Sequence, residues 1–233
     1  MSTKIALIGI MGHGKSSVAN LFAGTDYFEV SDDIYTCTTK IQSYNNINNN
    51  ITVFDTQGLN DKGTTDVNNL QEMIKTFKKE ILNAIFLVLN GQLCRLDEGV
   101  KQVIKEICKL FMGKYIWKQI GLIFTHFGYD KEEQEEVKSR EKNYVKEVLK
   151  TAEEEYKEII KNQDENNKTC DPKEKIVDNL KCFYVNAKKR KNGEYDKDTL
   201  EEIKKMENLA KNYPPINKVQ SKFIVSKEVL KDH

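Results

Sequence analysis

A glycine-rich loop near the amino terminus constrains the fold more than any other stretch of this 233-residue chain. Residues 9–16 read GIMGHGKS, which matches the pattern G-x-x-x-x-G-K-S/T, and they lie between an apolar run and a helical pattern. In that context the backbone N–H groups of the loop and the first turn of the helix point at one anion site. The sequence therefore predicts a strand–loop–helix unit that binds the phosphates of a nucleotide.

The residues of this loop have separate predicted roles. We expect the Lys15 ammonium to reach the terminal phosphates and to assist catalysis, and the Ser16 hydroxyl to ligate Mg²⁺. We interpret His13 as a spacer that contributes its backbone rather than as a catalytic imidazole. The predicted phosphate-binding positions are Met11, Gly12, His13, Gly14, Lys15, Ser16 and Ser17.

Short apolar runs alternate with helical patterns along the chain, which favours crossover units and a mostly parallel sheet. Residues 38–46 instead alternate in polarity and precede an Asn-rich turn, which predicts a hairpin with an antiparallel edge strand. We therefore expect an α/β fold with a six-stranded sheet, helices on both faces and a helical C-terminal extension. The apolar runs are residues 5–10, 51–56, 84–90, 120–126 and 181–186.

Helical spacing separates these runs. One predicted stripe contains Leu70, Met73, Ile74, Phe77 and Ile81, and others cover residues 100–111 and 200–209. Residues 131–162 predict a long, charged and partly exposed helix. We expect one domain over residues 1–212 and a tail over 213–233, for which a helix packed near the metal-binding loop is one arrangement.

The composition excludes several classes of function. Lys and Arg (37) nearly balance Asp and Glu (36), so no global field attracts nucleic acid or an anionic membrane. The five cysteines contain no C-x-x-C pair, which is typical of free thiols in a reducing compartment. No signal peptide or transmembrane run is visible. We expect a cytoplasmic protein without a nucleic-acid partner; peripheral membrane contact or a protein partner stays open.

A second motif follows the second strand, where residues 55–58 read DTQG. The Asp55 carboxylate at a strand end could hold Mg²⁺ through a water, and the Gly58 N–H could bond the γ-phosphate. Upstream, residues 31–39 should form the loop that closes over the metal. Thr36 is the favoured second Mg²⁺ ligand, with Thr38 and Thr39 as alternatives.

These motifs together resemble those of the GTPases of immunity-associated proteins (the GIMAP or IAN family, of the avirulence-induced type), near the septins and the Toc GTPases of chloroplast import. The resemblance covers residues 1–210 approximately. It depends on GIMGHGKSS, on Tyr35-Thr36, on DTQGLND and on the box NAIFLVLNGQLCRLDEG at 83–99. It implies a P-loop G domain that binds GTP or GDP with Mg²⁺ and forms nucleotide-dependent homodimers across the nucleotide face. Some members carry a hydrophobic C-terminal membrane anchor, which we do not expect here.

The hydrolytic machinery departs from that of small regulatory GTPases, which place a water-orienting glutamine after the glycine of DTQG. Leu59 occupies that position here and cannot polarise water, so intrinsic hydrolysis should be slow unless a second copy supplies a group. The resemblance suggests Arg95, in the 83–99 box, for that role in a dimer. The alternative is an ordinary surface arginine.

The base site is predicted at the ends of the last two strands. Guanine selectivity usually needs a carboxylate, but residues 125–128 read THFG, with glycine at the expected acid position. The resemblance implies a similar departure in relatives, which have Thr-Arg or Thr-His at this strand end, and on that basis we expect His126 to stack on the purine. Asp130 could accept from the guanine edge or could cap the helix beginning at Lys131. Asn186 follows the last strand and is assigned to the purine edge, with a simple turn as the alternative.

The leading interpretation is a switch protein that binds GTP or GDP and hydrolyses GTP slowly. An ATPase or small-molecule kinase on the same loop is less favoured, because a kinase lid needs arginines and only Arg95, Arg140 and Arg190 are present. A scaffold protein with a structural, slowly hydrolysed nucleotide is the other alternative. Leu59 and the charged helix at 131–162 motivate it.

Overall fold

A computed structural model describes residues 2–30, 40–59, 64–93, 96–111, 113–126, 128, 130–162 and 175–216. The strands are β1 (Thr3–Gly9), β2 (Gln42–Asn46), β3 (Ile51–Asp55), β4 (Ala84–Asn90), β5 (Ile120–Thr125) and β6 (Lys181–Tyr184). The α-helices are α1 (Lys15–Ala23), α2 (Thr64–Lys79), α3 (Glu98–Leu110), α4 (Lys131–Lys161) and α5 (Lys197–Asn212). A 3₁₀ helix spans Lys114–Gln119.

The six strands form one sheet in the order β2-β3-β1-β4-β5-β6. Of these strands only β2 is antiparallel, and it is joined to its partner β3 by the turn at residues 47–50. The predicted sheet, its edge hairpin and its helical layers are confirmed. Because the other strands are parallel, their carboxyl ends, and the loops that follow them, meet at one edge of the sheet.

Helices cover the two faces of the sheet and enclose two apolar cores. One core lies under α2, α3 and α4 and contains the 3₁₀-helix residue Trp117, which is 1% exposed. The other lies under α1 and α5 around Phe22 and Phe86, whose rings stack with centroids 6.1 Å apart. Strands buried on both faces need apolar side chains at every position, which explains the continuous apolar run of β4.

The helical stripes are confirmed over most of their length. The charged stretch forms the single helix α4 of 31 residues, buried along Tyr144, Val148 and Tyr156. Two positions were predicted wrongly. Ile81 is 48% exposed, because α2 ends at Lys79 and the chain has left the helical face. Leu200 is 41% exposed, because the buried face of α5 in this turn carries Thr199 instead, which is 3% exposed.

The chain leaves α5 at the edge of the sheet opposite the glycine-rich loop. There the Ile216 N–H donates to the Leu82 carbonyl at 2.7 Å, and Gln119 donates to the Pro214 carbonyl at 2.6 Å. Of the predicted tail over residues 213–233, residues 217–233 lie outside the described residues, so its helical arrangement stays a prediction. No helix in the described parts of the chain combines the length and the apolar character that a membrane crossing requires.

Candidate functional site

The glycine-rich loop and the DTQG motif meet at the carboxyl edge of the sheet. The Ser16 hydroxyl donates to Oδ2 of Asp55 at 2.7 Å. Ser16 lies in the first turn of α1 and Asp55 is the last residue of β3, the strand next to β1. The predicted metal-binding hydroxyl and carboxylate are therefore adjacent, although they are 39 residues apart in the chain.

The glycine-rich loop has the backbone that its sequence requires. Gly12 and Gly14 have φ angles of 79° and 82°, a left-handed conformation that glycine adopts without strain. Gly14 is also the N-cap of α1. The Lys15 side chain, only 6% exposed, turns back over the loop, and its Nζ donates to the Ile10 carbonyl at 2.9 Å.

Gly58 packs against the loop without room for a side chain. A Cβ added there would lie 2.6 Å from the backbone nitrogen of Met11 and 2.7 Å from its Cα, closer than carbon atoms approach. The Leu59 N–H donates to the Gly9 carbonyl at 3.2 Å, which fixes the same junction from the other side. The loop and the DTQG segment are therefore packed directly against each other.

The two residues around Gly58 are engaged elsewhere. Leu59 is 2% exposed and belongs to the core under α2. Gln57 is 3% exposed, and its Nε2 donates to Oε2 of Glu72 on α2 at 2.8 Å. Both side chains are therefore packed against α2 and its core, and the effect of Leu59 on hydrolysis stays a prediction.

Thr125, the last residue of β5, ties the loop to the strand end. Its Oγ1 lies 2.7 Å from the His13 carbonyl and 3.0 Å from the Leu89 carbonyl, so the one hydroxyl hydrogen is shared between them. The Gly91 N–H donates to the Thr125 carbonyl at 2.9 Å. The sequence did not predict a role for Thr125. Threonine is common in β-strands, so its presence at the end of β5 does not by itself indicate a function.

His126 lies beside the loop on the exposed side. It has a φ of 53°, an unfavourable left-handed conformation for a residue with a Cβ. Its Nε2 lies 3.4 Å from the Gly12 carbonyl, and its ring is exposed. This backbone conformation turns the imidazole from the strand towards the loop, beside the predicted position of a base. Strain of this kind is typical of functional sites.

The other two predicted base residues both have structural roles. Asp130 is the N-cap of α4 and accepts from the Glu132 N–H at 2.8 Å. Asn186 is buried, accepts from the Lys188 N–H at 3.1 Å and donates its own N–H to Thr199. The capping and turn alternatives are the ones that the geometry supports, whereas contact of either residue with a base stays a prediction.

The loop holds a buried imidazole. His13 is 7% exposed, and burial lowers the pKa of its imidazole below the usual 6.5. The Val88 carbonyl acts against this lowering of the pKa, the Lys15 ammonium adds to it, and Asp97, the N-cap of α3, opposes it. The role of the His13 backbone in binding phosphate stays a prediction.

The donor set at the sheet edge fits Mg²⁺. Hydroxyl and carboxylate oxygens are the ligands that Mg²⁺ prefers, and it is commonly completed by water and substrate phosphates. In the described part of the chain, no group of three His, Cys, Asp or Glu side chains could hold a metal ion by itself. Ser16 and Asp55 would therefore hold the ion together with phosphate oxygens. Thr36 and Arg95 lie outside the described residues.

Solved structures share this fold. Toc33 from Arabidopsis thaliana with Mg²⁺ and GMPPNP is 22% identical, with a TM-score of 0.62 over 91% of this chain and 85% of that one. Toc33 with GDP and Mg²⁺ is 21% identical, with a TM-score of 0.64 over 93% and 87%. A Toc structure concerning dimerization and GTPase activity of atToc33 and psToc159 is 21% identical, with a TM-score of 0.66 over 93% and 86%.

At this level of identity the comparison shows the fold, which is that of a P-loop G domain. No curated protein sequence matches the chain significantly. The model of the AIG1 family matches residues 3–229, which is nearly the whole chain and includes both the glycine-rich loop and the DTQG motif. The protein therefore belongs to the AIG1 family.

Proposed function

We propose that this protein binds GTP and GDP with Mg²⁺ and hydrolyses GTP slowly. The contact between Ser16 and Asp55, at the end of a glycine-rich loop with α1 behind it, carries this proposal. It gathers a phosphate-binding backbone, a metal-binding hydroxyl and a metal-binding carboxylate at one edge. The Toc33 structures, which contain GDP or GMPPNP with Mg²⁺, support the assignment.

The residues of the loop supply binding and charge neutralisation. The N–H groups of residues 11–17 would cradle the phosphates, and Lys15 would exchange the Ile10 carbonyl for phosphate oxygens. That exchange is favourable because an ammonium–phosphate bond is charge-assisted. Ser16 and Asp55 would hold Mg²⁺, which would supply positive charge against the negative charge of the phosphates. The Gly58 N–H is our candidate for the group that binds the terminal phosphate.

Slow hydrolysis follows from the residues around Gly58. Leu59 is buried in the core, and the Gln57 amide bonds Glu72, so neither orients the attacking water. A group from a second copy would then raise the rate, and Arg95 is our candidate. Dimerization is important for the GTPase activity of atToc33 and psToc159, which supports a homodimer across the nucleotide face here.

The same observations favour a second candidate function. A protein whose water-orienting positions are both engaged could hold its nucleotide structurally and act through binding a partner. The N-terminal half of α4 offers a surface for it, because most of the side chains that the structure describes between residues 131 and 143 are exposed. The two functions differ in turnover, because only the first predicts hydrolysis that increases with dimer formation.

Two experiments test the proposal. The first identifies the nucleotide released by denaturing the purified protein, by chromatography: GDP or GTP supports the proposal, and ADP or ATP supports an ATP-using protein. The second measures GTP hydrolysis per protein molecule over increasing protein concentration. A rate that rises in the native protein and stays flat in Arg95→Ala supports the dimer. A rate that is low and flat in both supports the structural nucleotide.

A further inference from the structure

Glu72, half-buried on α2, joins two segments that border the candidate site. Its Oε2 accepts from the Gln57 side chain at 2.8 Å, and its Oε1 accepts from the Ile41 backbone N–H at 3.4 Å. Gln57 belongs to the DTQG motif, and Ile41 directly precedes β2. One carboxylate therefore connects a loop that follows β3 with the entry to the edge strand.

Asn69, one turn earlier on the same face of α2, contacts the next residue of the motif. Its Nδ2 donates to the Gly58 carbonyl at 3.2 Å. Side chains three residues apart on a helix are neighbours. Glu72 and Asn69 therefore hydrogen-bond the consecutive residues Gln57 and Gly58, respectively. We call these two side chains the polar latch of α2.

The rest of the helix is held differently. Met73 is fully buried and Phe77 is 6% exposed, and the Phe77 ring packs edge-on against Phe54 with centroids 6.3 Å apart. Apolar packing of this kind is non-directional and makes no hydrogen bond to the DTQG motif. The polar latch, by contrast, consists of hydrogen bonds to the motif that would sense a terminal phosphate, and such bonds can change partners.

The chemistry of position 72 is restricted by its neighbours. Both partners of Glu72 are donors, a side-chain NH₂ and a backbone N–H. A carboxylate offers two acceptor oxygens and no donor, whereas a glutamine offers one acceptor and would turn an NH₂ towards one of the two donors. Replacing Glu72 by glutamine therefore keeps the shape and breaks one of the two connections.

Gly58 contacts both the glycine-rich loop and the polar latch. Its Cα faces Met11 so closely that a Cβ would lie 2.6 Å from the Met11 nitrogen. From these contacts we propose that Glu72 is a positioning residue that makes the DTQG segment, α2 and the start of β2 respond together to the terminal phosphate. The inference rests on the proposed function, because it concerns how GTP is distinguished from GDP at that site.

The test compares dissociation rates of fluorescent GDP and of a fluorescent non-hydrolysable GTP analogue. Glu72→Gln should release the GTP analogue about tenfold faster, the equivalent of one charged hydrogen bond, and GDP less than about twofold faster. The matched control is Glu80→Gln, since Glu80 follows the same helix and pairs with Lys4 at 2.5 Å, at the opposite sheet edge. The control should change neither rate.

A double variant distinguishes positioning from simple structural damage. In Gln57→Glu/Glu72→Gln the donor and acceptor are exchanged: the new carboxylate at 57 accepts from the new amide at 72, whose oxygen still accepts from Ile41. The slow release of the GTP analogue should return to within about threefold of the native value. Gln57→Met, which removes the donor and leaves Glu72 in place, should repeat the selective loss even if Glu72→Gln does not fold.

Equal acceleration for both nucleotides, or no change for either, would overturn the role of Glu72. Failure of the double variant to recover would do the same. A native protein that binds neither guanine nucleotide would instead refute the proposed function, and the two failures are therefore distinguishable.

Discussion

The hydroxyl of Thr125 lies 2.7 Å from the carbonyl oxygen of His13, so the end of β5 is bonded to the middle of the glycine-rich loop. The two residues are 112 positions apart in the chain. Because Thr125 is 2% exposed, this bond is shielded from water. It fixes the loop relative to His126, the next residue, and so sets the distance between the predicted phosphate and base sites.

Removing this hydroxyl should weaken nucleotide binding. Thr125→Val keeps the shape of the side chain but leaves the His13 carbonyl without this donor, at a cost of about 1–2 kcal/mol in the free energy of unfolding. We expect GDP affinity to fall about tenfold, measured by calorimetric titration. Thr125→Ser retains the hydroxyl, and its GDP affinity should fall less than about twofold from the native value. Equal losses in both variants would contradict the tether.

The strained backbone of His126 predicts opposite effects on stability and binding. His126→Gly relieves a φ of 53° and should raise the free energy of unfolding by up to about 1 kcal/mol, while the loss of the ring weakens GDP binding. Denaturant unfolding and GDP titration of the same variant measure both.

Asn50 provides the control for this variant. It has a φ of 54° in the β2–β3 turn, at the edge of the sheet away from the site, and asparagine tolerates that conformation. Asn50→Gly should change stability by less than about 0.5 kcal/mol and GDP affinity not at all. Unchanged GDP affinity in His126→Gly would show that His126 does not contact the base.

Introducing a glutamine at position 59, directly after Gly58, should not accelerate GTP hydrolysis. Leu59→Gln places an amide in the core under α2, where Leu59 is 2% exposed, and should cost about 2–4 kcal/mol of stability. The volume-conserving control Leu59→Met should cost less than about 1.5 kcal/mol. Thermal unfolding and single-turnover GTP hydrolysis test both variants. A rate increase of tenfold or more in Leu59→Gln would show that this side chain reaches the nucleotide.

The buried His13 predicts a pH dependence of stability. Its pKa is lowered in the folded state from the usual 6.5, so below that pH the unfolded chain binds more protons than the folded one. The contribution of neutral His13 to the free energy of unfolding is complete above 6.5, the usual pKa of the unfolded chain. It is lost as the pH falls through 6.5 towards the lower pKa of the folded protein. The free energy of unfolding, measured with denaturant, should therefore change more steeply with pH between about pH 5 and 7 in the native protein than in His13→Gln. Parallel curves would contradict this assignment.

The sequence predicts those features of the fold that depend on local patterns. The buried runs, the Asn-rich hairpin turn and the glycine-rich loop each specify a structure within a few residues, and the sheet confirms them. Thr125 and Glu72 could not be found in this way. Their roles depend on partners 112 and 15 residues away, and in the sequence they are an ordinary strand threonine and an ordinary helix glutamate.

The errors have the same origin. The spacing that predicts Ile81 on the core face of α2 assumes that the helix continues to that residue, but the helix ends at Lys79. Asp130 and Asn186 show the complementary difficulty. A polar residue at a strand end or helix start serves caps and turns as well as ligands, and only the observed hydrogen bonds distinguish these uses.

The most direct test of the account is equilibrium titration of the native protein with GDP and with ADP in the presence of Mg²⁺, with Lys15→Ala as the reference for a disabled phosphate site. We predict that GDP binds with a Kd at least about 100-fold lower than that of ADP, and that Lys15→Ala abolishes GDP binding. ADP binding as tightly as GDP, or GDP binding that survives in Lys15→Ala, would contradict a guanine-nucleotide site at this edge of the sheet.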